Sequence, residues 1–370
     1  MTARNSRLAP LALATLAACS STGAPAREET PLGPLERVDH LIQPDETHFA
    51  GLWRVAVGGE NAEGYWSFAG DRLSLQRTDP EHGCDRIFAT DPAGGGLVQV
   101  SSGRGVTTCA YFLPGDREVV YGSTQGHMQS CPPPVDRSDG YVWPIWPEYD
   151  LWVHDLESGA ERRLTDSWGY DAEATVSPLG DRIVFTSTRS GDLELWTCDL
   201  DGGDLRQVTD ELGYDGGAFF SHDGSKLVFR ATRFVDEAEA TNGVGTRAQY
   251  QDLLAKNKIR PHRLDLYVCN VDGSGRRRVT DLGGASWAPY FFPGDRRIIF
   301  STNHHDTNVP QVEFDLFAVD ADGSNLERIT TYQGFDSFPM FSADGQWLVF
   351  ASNRGGSVPG ETNLYLARWK

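Results

Sequence analysis

The sequence predicts an all-β fold: a six-bladed β-propeller of four-stranded antiparallel blades, closed by an N-terminal strand that completes the last blade. Three observations carry this. The stretch YDAEATVSPLGDRIVFTSTRSGDLELWTCDLDGGDLRQVTD, from Tyr170 to Asp210, reads as four short strands joined by tight turns. Its first half recurs until the chain holds six copies. The first copy is preceded by a lone outer strand, and the last copy ends one strand short.

Within the reference stretch, residues 172–177 form the first strand and Pro178-Leu179-Gly180-Asp181 the turn after it. Residues 182–187 are the second strand, 188–192 a loop, and 193–199 a third strand with period-2 alternation. Asp201-Gly202-Gly203 is a hairpin signal, and 205–209 the fourth strand. Gly and Asp supply the positive-φ turn positions, while β-branched and aromatic residues fill the runs between them. A single meander of this size cannot bury both faces, so it needs neighbours.

Repetition supplies the neighbours. The first two strands recur as EGYWSFAGDRLSLQRT from Glu63, CAYFLPGDREVVYGST from Cys109, GAFFSHDGSKLVFRATR from Gly217, APYFFPGDRRIIFSTNH from Ala288 and FPMFSADGQWLVFASNR from Phe338. The spacing is about 44 residues where no insertion intervenes, which is the length of a propeller blade. Blades in a ring bury their faces against each other and leave only short edges, so a monomer is expected. Residues 52–57 match the outer-strand pattern and have no blade of their own. They are expected to pair with residues 364–369.

The repeated Ser-x-Asp-Gly turn, followed by Leu-Val-Phe, Leu-Tyr/Trp, Asp-Gly-Ser and Arg-x-x-Thr, resembles the WD-like repeat of the TolB-like propeller family. The resemblance runs from about Leu52 to the C-terminus. It is specific for fold and less so for function. It implies a module that holds a protein or peptide partner. TolB itself carries an extra N-terminal α/β domain. Only about thirty residues separate residue 19 from the first strand, so a stand-alone lipoprotein form is expected.

The N-terminus supports export. Arg4 and Arg7 precede a short apolar stretch that ends in Leu16-Ala17-Ala18-Cys19, which fits a lipobox with Cys19 as the lipidation site. The apolar stretch is too short to span a bilayer. Residues 1–18 read as a lipoprotein signal peptide, 19–47 as a flexible tether and 48–370 as the propeller. The expected location is the periplasmic side of the cell envelope. Ser20 in place of Asp favours the outer membrane by the lipobox rule. The membrane would be met only through the lipid anchor, since no later run is long and apolar enough to span. A net charge of -19 argues against nucleic acid and against acidic lipid surfaces.

Beyond Cys19, the cysteines fall into two groups. Cys198 and Cys269 occupy matching positions of third strands, as small buried hydrophobes would. Cys84, Cys109 and Cys131 lie near one end of the first two blades, and an exported compartment permits one disulfide among them. No Cys-x-x-Cys occurs.

Large insertions fall in loops after second strands: residues 125–148, 234–263, 304–313 and 355–361. All four therefore lie at one end of the ring, and loops on a rigid scaffold are where binding concentrates. At the same end, Asn61, Thr107, Asp171, Asp215, Ser286 and Asp336 open the innermost strand of each blade. They read either as a polar collar for a cationic group, a peptide loop or a Ca²⁺ ion, or as Asx-type turns that cap the crossovers. Asp171, Asp215 and Asp336 are the candidate ligands for such an ion, and no other cofactor is expected.

Tyr141, Trp143 and Trp146, spaced by prolines, form an aromatic patch suited to packing or contact. His304 and His305 begin a loop on the same face, but adjacent residues of an extended segment point apart and rarely share a metal. Arg189, Arg233 and Arg354 end second strands and read as salt-bridge residues. RAQYQDLLAKNK, in the longest insertion, has helical spacing.

No nucleophile elbow, His-Glu-x-x-His pair or phosphate loop is present. The leading expectation is a lipid-anchored module that binds an envelope protein or peptide. The alternative is a hydrolase or lyase acting on a carbohydrate or peptide with channel-mouth carboxylates, with or without a divalent metal.

Overall fold

The repeat folds as its turns and alternation require. A computed structural model describes residues 27–370 apart from 79, 92–95, 239, 241–243 and 309–311. Six antiparallel sheets make the blades of a closed ring. Blade 1 spans residues 60–99, blade 2 107–163, blade 3 171–207, blade 4 215–278 and blade 5 286–328. Blade 6 combines 336–369 with the early strand Phe49–Ala56. The closing ladder pairs Leu366 with Trp53 and Ala367 with Leu52, as the two incomplete ends of the chain imply.

The motif residues have physical roles. The aromatic of each second strand, Tyr121, Phe185, Phe229, Phe300 or Phe350, is fully buried in the core, as is Leu75 in blade 1. The Thr of Arg-x-x-Thr accepts a backbone N–H of the third strand: Thr209 from Leu195 at 2.8 Å, Thr280 from Leu266 at 2.9 Å, and Thr330 from Leu316 at 2.9 Å. These hydroxyls satisfy buried donors where the short fourth strand has run out. At the bare end, Asp116 bridges blades by accepting from the backbone of Phe68 and Ala69.

The segment read as a flexible tether departs from that reading after residue 26. Strands Arg27–Thr30 and Gly33–Arg37 form a hairpin that adds to the outer edge of Phe49–Ala56, giving a six-stranded last sheet. Leu32 and Val38 are buried, and the Arg37 guanidinium lies 5.1 Å from the Trp53 ring centre. Polar composition suggested a tether because the hairpin borrows its order from an edge that the folded ring provides. Residues 1–18 and Cys19 lie outside the described residues. Among the described residues, no helix is long and apolar enough to cross a membrane.

The described part of the longest insertion carries the helix Arg247–Leu254, N-capped by Thr246, with Tyr250 and Leu253 buried.

Candidate functional site

The six positions expected to form a collar do open the innermost strands, but these residues are at most 4% exposed. They are spent on partners inside the protein. Asp171 accepts from Ser187 at 2.5 Å and pairs with Arg189 at 2.7 Å. Asp215 pairs with Arg276 at 3.3 Å, and Asp336 with Arg354 at 2.7 Å. Asn61 donates to the Gly58 and Thr362 carbonyls, Thr107 to the Asp85 carbonyl, and Ser286 to Thr302. The collar is therefore corrected to a set of buried ties. A guanidinium already supplies the positive charge that a Ca²⁺ ion would bring to each aspartate. The salt-bridge reading of Arg189 and Arg354 fits this geometry. Arg233 instead stacks on Tyr267, 3.7 Å from its ring centre.

The residues that face the channel sit two positions further on. Each innermost strand carries a bulge, and at each bulge one residue takes a positive φ: Glu63 (55°), Cys109 (42°), Glu173 (59°), Gly217 (56°), Ala288 (48°) and Phe338 (55°). A bulge re-aims a side chain that simple alternation would bury in the sheet. Four of these six residues line a cavity of about 360 Å³ at the loop-elaborated end of the channel.

The roof of this cavity is the insertion after the second strand of blade 2. Tyr141, Trp143 and Trp146 all line it. The roof is held at two sides. Cys84 and Cys131 are disulfide-bonded, with a Cα separation of 5.9 Å, which selects one of the three pairings and leaves Cys109 as a buried free thiol. Opposite, Trp143 and Pro144 form a two-residue ladder with Ile259 and Lys258 of the blade 4 insertion, and Lys258 pairs with Asp136 at 3.3 Å. Trp143 packs on Trp287 at 5.4 Å, and Trp287 stacks on Phe314 at 4.4 Å.

One wall is polar. Arg230, from the second strand of blade 4, meets Glu173 of blade 3 at 2.9 Å and bonds to Tyr214 Oη at 2.9 and 2.5 Å. Glu173 also accepts from Tyr214 Oη at 2.7 Å, Thr186 at 2.7 Å and the Gly217 N–H at 2.8 Å. Burial works to lower the Arg230 pKa, but Tyr214, Glu173 and Glu63 outweigh it and raise it well above the ordinary value, so the guanidinium is firmly charged. A Cβ at Gly217 would strike that guanidinium, so this blade needs glycine at the positive-φ position.

Glu63 accepts from Tyr65 Oη at 3.0 Å, and burial raises its carboxyl above the ordinary value. Asp85 is raised by burial to about 6, against the hydrogen bond from Thr78. Burial and the two glutamates push the Cys109 thiol well up, so it stays protonated.

His304 and His305 lie outside this cavity's lining. His305 Nε2 is 2.8 Å from Asp315 and 3.5 Å from Glu313, and the three could in principle hold an ion. Arg328 bonds to both carboxylates and occupies that role, so no metal is assigned.

Sequence reasoning missed Glu63, Glu173 and Arg230, although a signal existed. The position after the repeated aromatic is Gly122, Thr186, Ser301 or Ala351 in four blades, but Arg230 in blade 4. That same blade carries Gly216-Gly217, which makes room for it.

A family profile described as "TolB beta propeller domain" matches residues 249–360. Among curated proteins, none matches the sequence. In solved structures, a TolB from Agrobacterium tumefaciens is similar with a TM-score of 0.53 and 17% identity, over 84% of this chain and 91% of that one. TolB from Acinetobacter baumannii gives a TM-score of 0.51 at 18% identity, over 84% of this chain and 65% of that one. An oligogalacturonate lyase in complex with manganese gives 0.50 at 13% identity, over 94% and 99%. At these identities the likenesses establish the shared fold.

Proposed function

We propose that this TolB-like six-bladed β-propeller works in the cell envelope as a binding module, taking a protein or peptide partner at the loop-elaborated end of its channel. The observation that carries the reading is the roofed, aromatic-walled cavity at that end, facing away from the tight turns of the other. Loops on a rigid ring give a fixed frame to a partner's protruding segment, and the half-exposed Trp143 and Trp146 offer anchor surface. Lipid attachment at Cys19 and an outer-membrane location belong to the same reading. Metabolic labelling with palmitate that disappears in Cys19→Ala would support them.

The hydrolase or lyase alternative has less in its favour. It rests on Asp171, Asp215 and Asp336, each of which is committed to a guanidinium.

The test is capture of envelope proteins by wild type and two variants. Thr108→Trp fills the cavity from a half-exposed lining position. The triple change of Asp201, Asp272 and Asp322 to Asn alters only the bare end. The partner is expected on wild type and on the triple variant, and to be lost from Thr108→Trp. Loss from the triple variant alone would place the site at the other end and defeat the proposal.

A further inference from the structure

We propose that the channel-mouth cavity receives a cationic side chain, a lysine or arginine presented by the partner. This deepens the binding-module reading and rests on it.

Three features argue for a cation. The first is charge balance. The lining holds three carboxyl groups, Glu63, Asp85 and Glu173, against one guanidinium, Arg230. Arg230 is consumed by Glu173 and Tyr214. Glu63 makes no ion pair within 4 Å among the described residues: its direct partner is a neutral phenol, Tyr65, and Arg230 acts on it only from a greater distance. The second feature is the wall. Trp143, Trp146, Tyr149, Tyr170, Trp287 and Phe338 surround the space, and aromatic faces attract cations through their quadrupoles. The protein already uses that attraction: the Arg230 guanidinium carbon lies 5.3 Å from the Trp143 ring centre and 5.4 Å from that of Tyr214. The third is size. About 360 Å³ lies at the small end of ligand pockets and has room for one long side chain.

An anion would meet the unpaired carboxyl. A purely apolar group would complete the desolvation of Glu63 and Asp85 and supply no counter-charge beyond the neutral hydrogen bonds from Tyr65, Thr78 and Gln76, which is unfavourable. A lysine or arginine places its stem along the aromatic wall and its charge at the acidic one, the way such side chains ordinarily divide between apolar and polar surroundings.

The experiment titrates two probes, Nα-acetyl-lysine methylamide and Nα-acetyl-norleucine methylamide, into the full chain and follows tryptophan fluorescence. The two differ only in the terminal ammonium. Wild type is expected to prefer the lysine probe about tenfold or more, the ratio that about 1.4 kcal/mol produces. Glu63→Gln should remove the preference by weakening the lysine probe, with the norleucine probe bound at least as well as by wild type, and Thr108→Trp should exclude both. Equal binding of the two probes, no binding of the lysine probe, or a preference that survives Glu63→Gln would overturn the proposal. If one of those results occurs while Thr108→Trp still abolishes partner capture, the binding-module reading stands and only the cation assignment falls.

Discussion

The Arg230–Glu173 pair joins two blades at the centre of the ring, and replacing Arg230 with Met tests how much the molecule depends on it. Both side chains are about 10% exposed. Removing one partner of a buried pair costs about 3–5 kcal/mol, because the other charge is stranded. Here Glu173 would keep hydrogen bonds from Tyr214, Thr186 and Gly217, so the lower end, about 3 kcal/mol, is expected. Adding Glu173→Gln discharges the stranded carboxylate and should recover about half of that loss, since a buried neutral amide is far cheaper than a buried anion. Gly217→Ala should imitate the single variant by evicting the guanidinium. The assay is urea unfolding at neutral pH, followed by tryptophan fluorescence. A loss below about 1 kcal/mol, the range of exposed pairs, would refute the reasoning, as would a double variant no more stable than Arg230→Met.

Two further outcomes are expected. Deleting residues 364–370 should open the ring, expose the edge of Phe49–Ala56 and cause aggregation on size-exclusion chromatography. An unchanged monomer with an unchanged melting temperature would contradict the closure. Burial also raises Glu194 from its ordinary 4.5 to about 8 and Asp215 from 3.8 to about 7, so the folded chain holds their protons more tightly than the unfolded one. Their contribution is fully present below about pH 4 and is lost as pH rises through 7 and 8. Calorimetry from pH 5 to 8.5 should show a falling melting temperature, with a shallower fall in Glu194→Gln. Parallel slopes would refute this.

Much of the fold was legible because a propeller repeats its instructions. Turn residues, strand composition and the buried aromatic occur in copy after copy, and the two incomplete ends announced the closure. What escaped reading depends on features without a period. The hairpin at Arg27–Arg37 has too little apolar surface to order itself, and it takes order from an edge supplied by residues far along the chain. Its place at the start of an innermost strand put Asp171 at the channel mouth, but the bulge at Glu173 shifts the register, and that shift leaves no mark in hydropathy. The roof was visible as an aromatic insertion. Its position over the channel depends on contacts with residues 258–259, more than a hundred positions away. Three cysteines allowed three pairings, and only the spatial neighbourhood of Cys84 and Cys131 decides between them.

The ring of six left-handed residues has a consequence for the lining it creates. Five of the six are not glycine, so five of the blades absorb some backbone strain to aim that residue inward. The aim is set by the bulge, which every blade keeps whatever side chain it carries. Residue identity at these positions is thereby freed from the architecture in most blades, the exception being Gly217, whose missing Cβ makes room for the Arg230 guanidinium. In this chain the filling is lopsided. Blades 1 to 3 present Glu63, Cys109 and Glu173, blade 4 sets Arg230 in the space left by Gly217, and blades 5 and 6 carry Ala288 and Phe338. A six-fold scaffold therefore encloses a space with a polar arc and a narrower oily one, and a guest that tells them apart can sit in only one azimuthal orientation.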